Sequence, residues 1–204
     1  MIVAAMQRAY ADHALPTPQR AQMLAIVGLS LEQAFMKLGE GRARFPVATL
    51  VESYKAAFFA LRQTEEHGEP LYAGARETID ALARRDDIAL GIATGKSQRG
   101  VAAVLQRHGL TDRFAVIKTS DDAPSKPHPG MVIAAMREVG AVAVDTVVVG
   151  DTAFDMEMAR AAGARAIGVA WGYHPREALR EAGAFAVIED FPALVPLLDG
   201  LWRA

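Results

Sequence analysis

The sequence predicts an α/β protein: a helical module of about seventy residues followed by a parallel-sheet module. Three observations carry this. Residues 1–70 show helical spacing only. From Tyr72 onward, short apolar runs alternate with helical patterns, the signature of βα units. Those runs are apolar almost throughout, as strands buried on both faces are.

In the first module, Ile2, Val3, Met6, Ala9 and Tyr10 share one helix face. Pro16 and Pro18 end that helix. Gln19–Val27 predicts a second helix, Leu31–Leu38 a third with Ser30 as N-cap, and Val47–Thr64 a fourth. Glu65–Pro70 reads as a linker. In the second module, helices are expected at Ala75–Arg85, Ser97–His108, Gly130–Val139, Met156–Ala162 and Pro175–Ala182. Gly109, Gly140 and Gly163 close the second to fourth of them. Strands are expected at Ile88–Ala93, Phe114–Lys118, Val144–Val149, Ala166–Ala170 and Ala184–Ile188. The segment DFPALVPLLDGLW predicts a docking helix with proline in its first turn.

Composition excludes several classes. A net charge of −2 gives no electrostatic footprint for nucleic acid. The absence of cysteine excludes disulfides and thiolate metal sites, and fits a reducing, cytoplasmic compartment. No run of eighteen apolar residues predicts a membrane span. MIVAAMQRAYADHAL lacks the basic start of a signal peptide and reads as an amphipathic helix.

In open α/β sheets, ligands sit beyond the carboxyl ends of the strands, so the residues after each strand are the candidates. ATGKSQRG follows the first strand. Thr94 offers a hydroxyl, Gly95 a close backbone approach, and Lys96 and Ser97 a helix start whose N–H groups favour an anion; an ordinary turn capped by Ser97 or Thr94 is the plainer alternative. TSDDAPSKPHPG follows the second, with Lys126 held between Pro124 and Pro127. GDTAFD follows the third. Asp151 and Asp155, one helical turn apart, suit Mg²⁺, a hard cation that takes oxygen ligands and keeps waters; the alternative is an N-cap aspartate plus a first-turn aspartate on the helix dipole. Gly150 clears space beside Asp151. Trp171, Gly172 and Tyr173 line the pocket or pack in the core, and the VGLSLEQAF loop, with Gly28, Ser30 and Glu32, either reaches the site or caps a helix. His128 and His174 lie near the same edge without an assigned role.

Thr-Gly-Lys, a lysine in a proline loop, and GDxxxD, in that order on successive strands, resemble the haloacid dehalogenase-like (HAD) hydrolase superfamily. The helical module and YAGARETIDAL resemble its phosphoglycolate phosphatase-like branch, subfamily IA, which also includes β-phosphoglucomutases. The resemblance covers essentially the whole chain. It implies a Rossmann-like parallel core at 71–204, an α-helical cap at 1–70 that closes over the site, and a Mg²⁺-dependent phosphatase of a small phosphorylated metabolite such as 2-phosphoglycolate. Thr94, Gly95 and Lys96 would bind the phosphoryl group, and Lys126 would neutralise it and the attacking carboxylate. Asp151 would hold Mg²⁺, with Asp155 as ligand or support. A mutase is the less favoured reading. A dehalogenase is disfavoured, since carbon–halogen cleavage does not require a two-carboxylate Mg²⁺ site.

One part of the pattern is absent. The nucleophile in this superfamily is the first aspartate of a DxD after an apolar strand, and this sequence has no DxD. Asp12 lies on a helix, and Asp121 and Asp122 are adjacent. The strand that would carry the motif is central, between those ending at Ala93 and Val149. Without it, a gap opens or those two strands pair. About five buried apolar residues at roughly 1.5–3 kcal/mol each are worth on the order of 10 kcal/mol, comparable with the ~5–15 kcal/mol stability of a whole domain. The expectation is an N-terminally truncated phosphatase with Met1 as an internal methionine, unable to form an aspartyl-phosphate. The alternatives are a non-catalytic module with a phosphate and Mg²⁺ pocket, and a remnant that folds with a strand supplied in trans. Oligomeric state is not legible.

Overall fold

The computed structural model describes residues 1–63 and 69–202, which form two compact units, Met1–Pro70 and Leu71–Ala204. Most of the linker expected at Glu65–Pro70 lies outside the described residues.

The first unit holds α1 (Ile2–Asp12), α2 (Arg20–Leu24), α3 (Leu31–Leu38) and α4 (Val47–Arg62). The face expected on α1 turns inward: Met6, Ala9 and Tyr10 are buried with Ala5, while Ile2 and Val3 pack at the margin. They meet Phe35, Leu50 and Tyr54, with the Phe35 and Tyr54 rings edge to face at 6.0 Å. His13 Nε2 and Ser53 Oγ, 2.9 Å apart, join α1 to α4. Ser30 occupies the N-cap position of α3 in extended backbone, without a side-chain cap bond. Gly28 turns the preceding loop at φ 104°.

The second unit alternates α5 (Ala75–Ala83), β1 (Gly91–Thr94), α6 (Gln98–Arg107), β2 (Val116–Thr119), α7 (Gly130–Val139), β3 (Val147–Gly150), α8 (Ala153–Ala161), β4 (Arg165–Val169), α9 (Arg176–Glu181), β5 (Ala186–Ile188) and α10 (Leu194–Trp202). Asp190 accepts from Ala193 N–H at 3.1 Å, capping a 3₁₀ turn that carries Pro192 and leads into α10. Leu194 and Leu198 then dock α10 against Ile167, Val169 and Ile188.

All strand pairs are parallel, but the strands form two sheets. β1 pairs with β2, Gly91 opposite Val116 through Thr94 opposite Thr119. β4 lies between β3 and β5, with Val147 opposite Arg165 and Ile167 opposite Ala186. Among the described residues β1 and β3 do not pair, so each has an edge without a strand partner. This corrects the expectation that every strand is buried on both faces. Ala166–Val169 of β4 are buried, whereas Gly91 is exposed, Ile92–Thr94 are half-buried and Val149 is 38% exposed.

The two sheets share their helical cover. Ala93 of β1 and Val148 of β3 both pack on Met131, Val132 and Met158 from α7 and α8. On another side, Leu90 and Val147 meet Leu82 of α5 and Leu194 of α10. The carboxyl ends of β1, β2 and β3 thus belong to one compact body.

Candidate active site

Each candidate side chain follows a strand end. After β1, Thr94 Oγ1 accepts from Lys96 N–H at 3.2 Å, and Ser97 Oγ accepts from Gly100 N–H at 3.2 Å as the N-cap of α6. Ser120 donates to the Gly95 carbonyl at 3.1 Å. The free N–H groups expected at this helix start are partly taken: Gln98 N–H donates to Asp121 Oδ2 at 2.8 Å. Thr94 keeps a hydroxyl hydrogen to donate, while Lys96 is exposed.

After β2, Asp122 accepts from Thr119 N–H and Oγ1, both 2.8 Å, and from Gln98 Nε2 at 2.7 Å. Those bonds, Thr119 N–H first, hold its carboxyl below the usual range. Asp121 and Asp122 therefore pin the β2 loop to α6. The next residues turn inward. Ser125 and Lys126 are buried, Lys126 at 7% exposure, with a cis Lys126–Pro127 peptide. The Lys126 ammonium donates to Asp155 Oδ1 in a buried ion pair.

After β3 the local order differs from the sequence reading. α8 begins at Ala153, three residues earlier than expected, and its N-cap is Thr152 rather than Asp151. Thr152 Oγ1 donates to Asp155 Oδ2 at 2.6 Å and accepts from Asp155 N–H at 3.3 Å. Asp155 Oδ2 also accepts from Thr152 N–H at 3.1 Å, completing a capping box. Both oxygens of Asp155 thus hold protein donors, one from Lys126 and one from Thr152.

Gly150 makes room for Asp155 rather than Asp151. A Cβ on Gly150 would stand 2.3 Å from Asp155 Cβ, and Asp151 instead packs on Gly172, where a Cβ would stand 2.1 Å away. Tyr173 N–H donates to Asp151 Oδ2 at 3.1 Å, and His174 N–H to the Asp151 carbonyl at 3.1 Å. Burial, then the Asp155 charge, push the Asp151 carboxyl above the usual range despite Lys126 nearby. Burial first, with Asp151 also contributing, raises the Tyr72 and Tyr173 phenols. The Trp171 ring packs tilted against Phe191 at 4.9 Å and edge to face with Tyr72 at 6.4 Å, so it braces the wall behind this edge.

Lys126, Asp151 and Asp155 together carry a formal charge of −1. The underneutralised member is Asp151. Among the described residues no three His, Cys, Asp or Glu side chains converge as a metal cage. The donor is nonetheless an oxygen of a partly desolvated carboxylate, raised by a like charge. That fits a small hard cation held by one or two carboxylates and waters.

The sequence pattern of the haloacid dehalogenase-like hydrolase family matches residues 1–169, more than half of the chain. The chain belongs to this family. A probable phosphatase, IndB, of Dickeya dadantii is 34% identical over 208 residues, covering 99% of this chain and 88% of that one. The phosphoglycolate phosphatase of Rhodospirillum rubrum is 34% identical over 169 residues, covering 82% and 69%. A solved hydrolase from Pseudomonas syringae superposes with a TM-score of 0.84 at 26% identity, covering 97% of this chain and 90% of that one. The α/β architecture is therefore that of a HAD hydrolase with phosphoglycolate phosphatase-like relatives, and Thr94, Lys126, Asp151 and Asp155 all fall inside the matched stretch.

Proposed function

We propose that this HAD protein is a Mg²⁺-dependent phosphatase of a small phosphorylated metabolite, 2-phosphoglycolate being the lead substrate. The observation that carries this is the Lys126–Asp155 pair, buried at the carboxyl edge with Asp151 beside it, underneutralised. Phosphoryl transfer needs mainly positioning and charge stabilisation, which these groups suit. Thr94 donates its hydroxyl to a phosphoryl oxygen, with the Gly95–Lys96 backbone alongside. The Lys126 ammonium offsets phosphoryl charge and is aimed by Asp155. Asp151 is the residue that would hold Mg²⁺, which supplies further charge neutralisation when bound. Asp155 braces Lys126 through their ion pair, and the backbone that follows Asp151 through the capping box with Thr152. The unit Met1–Pro70 takes the role of a substrate-selecting cap, and the protein works in the cytoplasm.

The nucleophile needs a position as well. The unpaired edges of β1 and β3, with Val149 of β3 38% exposed, support placing it on a strand between them. Its carboxyl end would then point toward Lys126 and Asp151. The lack of DxD among these 204 residues favours a second reading, a phosphate- and Mg²⁺-binding module without turnover.

The test is phosphate release from 2-phosphoglycolate and a panel of phosphomonoesters, in Mg²⁺ and in EDTA. It is run on the 204-residue chain and on the protein as its source cell makes it. Turnover by the cellular protein that EDTA abolishes, with phosphate binding but no turnover by the 204-residue chain, supports the phosphatase. Phosphate binding without turnover by both supports the binding module. No phosphate binding by either sinks the phosphatase reading, and turnover indifferent to EDTA sinks its Mg²⁺ dependence.

A further inference from the structure

We propose that His174 is a positioning residue that sets Asp151 for its ligand, a role resting on the Mg²⁺ reading above. His174 lies beyond the stretch matched by the family pattern, on the loop that follows β4. That loop grips the Asp151 segment at four points. Gly172 leaves room for the Asp151 Cβ. Tyr173 N–H donates to Oδ2 and His174 N–H to the Asp151 carbonyl, each at 3.1 Å. The fourth point is the imidazole: Ala153 N–H donates to His174 Nδ1 at 3.1 Å.

Ala153 is the first residue of α8, so its N–H has no partner within the helix. The capping box serves Thr152 N–H and Asp155 N–H, and His174 serves Ala153 N–H. An Nδ1 that accepts carries no proton, so the neutral ring bears its hydrogen on Nε2. Nε2 is buried without a hydrogen-bond partner among the described residues. A buried N–H without an acceptor is costly. The ring is therefore placed for Nδ1 rather than Nε2, and the Phe154 ring, edge to face at 5.5 Å, fixes its plane. Imidazole and backbone together hold Asp151–Ala153 from the carbonyl of one end to the amide of the other. Removing the Nδ1 acceptor frees the Ala153 amide, and with it the backbone that aims the Asp151 carboxylate.

The experiment compares His174→Asn with His174→Gln in the full chain. Asparagine can place its Oδ1 where Nδ1 lies, whereas glutamine carries its oxygen one bond further out. Mn²⁺ titration followed by electron paramagnetic resonance reads the ligand site, and hydrogen exchange at the Ala153 amide reads the contact without metal. The expectation is Mn²⁺ affinity within about threefold of wild type for His174→Asn and a loss of roughly 10–100-fold for His174→Gln. Ala153 should stay protected only in wild type and His174→Asn. Equal Mn²⁺ affinity in both variants, or Ala153 equally protected in both, overturns the proposal. A wild-type chain that protects Ala153 as expected yet binds no Mn²⁺ overturns the Mg²⁺ reading, and the ligand-setting role with it.

Discussion

Lys126→Met is the most informative single change at this edge. The side chains of Lys126 and Asp155 are 8% and 6% exposed, so the pair sits out of water. Methionine keeps the length and apolar stem of lysine and removes only the ammonium. Asp155 then retains its Thr152 bonds but loses its countercharge, with Asp151 alongside. Stranding one partner of a buried pair costs about 3–5 kcal/mol. At a urea slope of ~2 kcal/mol/M, the midpoint falls by about 1.5–2.5 M. Trp171 and Trp202, the two tryptophans of the chain, both lie in the second unit, so their fluorescence reports the relevant body. The control is Lys118→Met, whose partner Glu138 is 52% exposed; that pair is worth ~0–1 kcal/mol. The sign with pH is also fixed. Lys126 is among the groups that pull the Asp151 carboxyl back down, so its loss raises that group further. An acid raised by folding stabilises the folded state while protonated, and that contribution is lost as pH rises through the folded value. The Lys126→Met deficit should therefore grow as pH rises from the ordinary carboxylate range toward neutrality. A deficit no larger than that of Lys118→Met at pH 7, or one that shrinks toward pH 7, refutes the reasoning.

Asp151→Asn removes the partly desolvated charge. By the same sign rule, metal-free wild type should lose stability as pH rises from the ordinary carboxylate range through the raised value of Asp151, to an extent that Asp151→Asn does not, read as the difference between their thermal midpoints. Saturating Mg²⁺ should stabilise wild type, by ~2.7 kcal/mol at a hundred times its dissociation constant, and leave Asp151→Asn unmoved. Gly172→Ala puts a Cβ 2.1 Å from Asp151 Cβ and should cost roughly 1–3 kcal/mol by overpacking. Gly200→Ala in α10 meets nothing within 4 Å and should gain up to about 1 kcal/mol, so urea midpoints moving the same way in both would count against this account.

Among the site residues, legibility followed the range of the interaction. The placement of Thr94, Lys126 and Asp151 after strand ends is legible because βα alternation fixes which residues follow a strand end. The T-x-x-D of Thr152 and Asp155 is a local capping signal, but spacing alone does not separate it from a cation-binding aspartate pair. Gly150 was matched to the wrong aspartate because a sequence shows that a glycine makes room, not which side chain fills it. His174 had no local signal: its partner is an amide twenty-one residues earlier. Asp121 and Asp122, whose adjacency already argues against a nucleophile role, tie α6 to the β2 loop through Gln98 and Thr119.

The sequence by itself determined the element order, the α/β class, the family, and the candidates at the strand ends. Spacing and end signals act over a few residues, and strand alternation restricts topology to very few choices. Only the tertiary structure decided that the strands form two sheets, that Asp155 spends both oxygens on Lys126 and Thr152, and that Asp151 is left underneutralised. Those outcomes depend on which groups, distant along the chain, compete for the same donor or the same desolvated space. That competition is settled by packing.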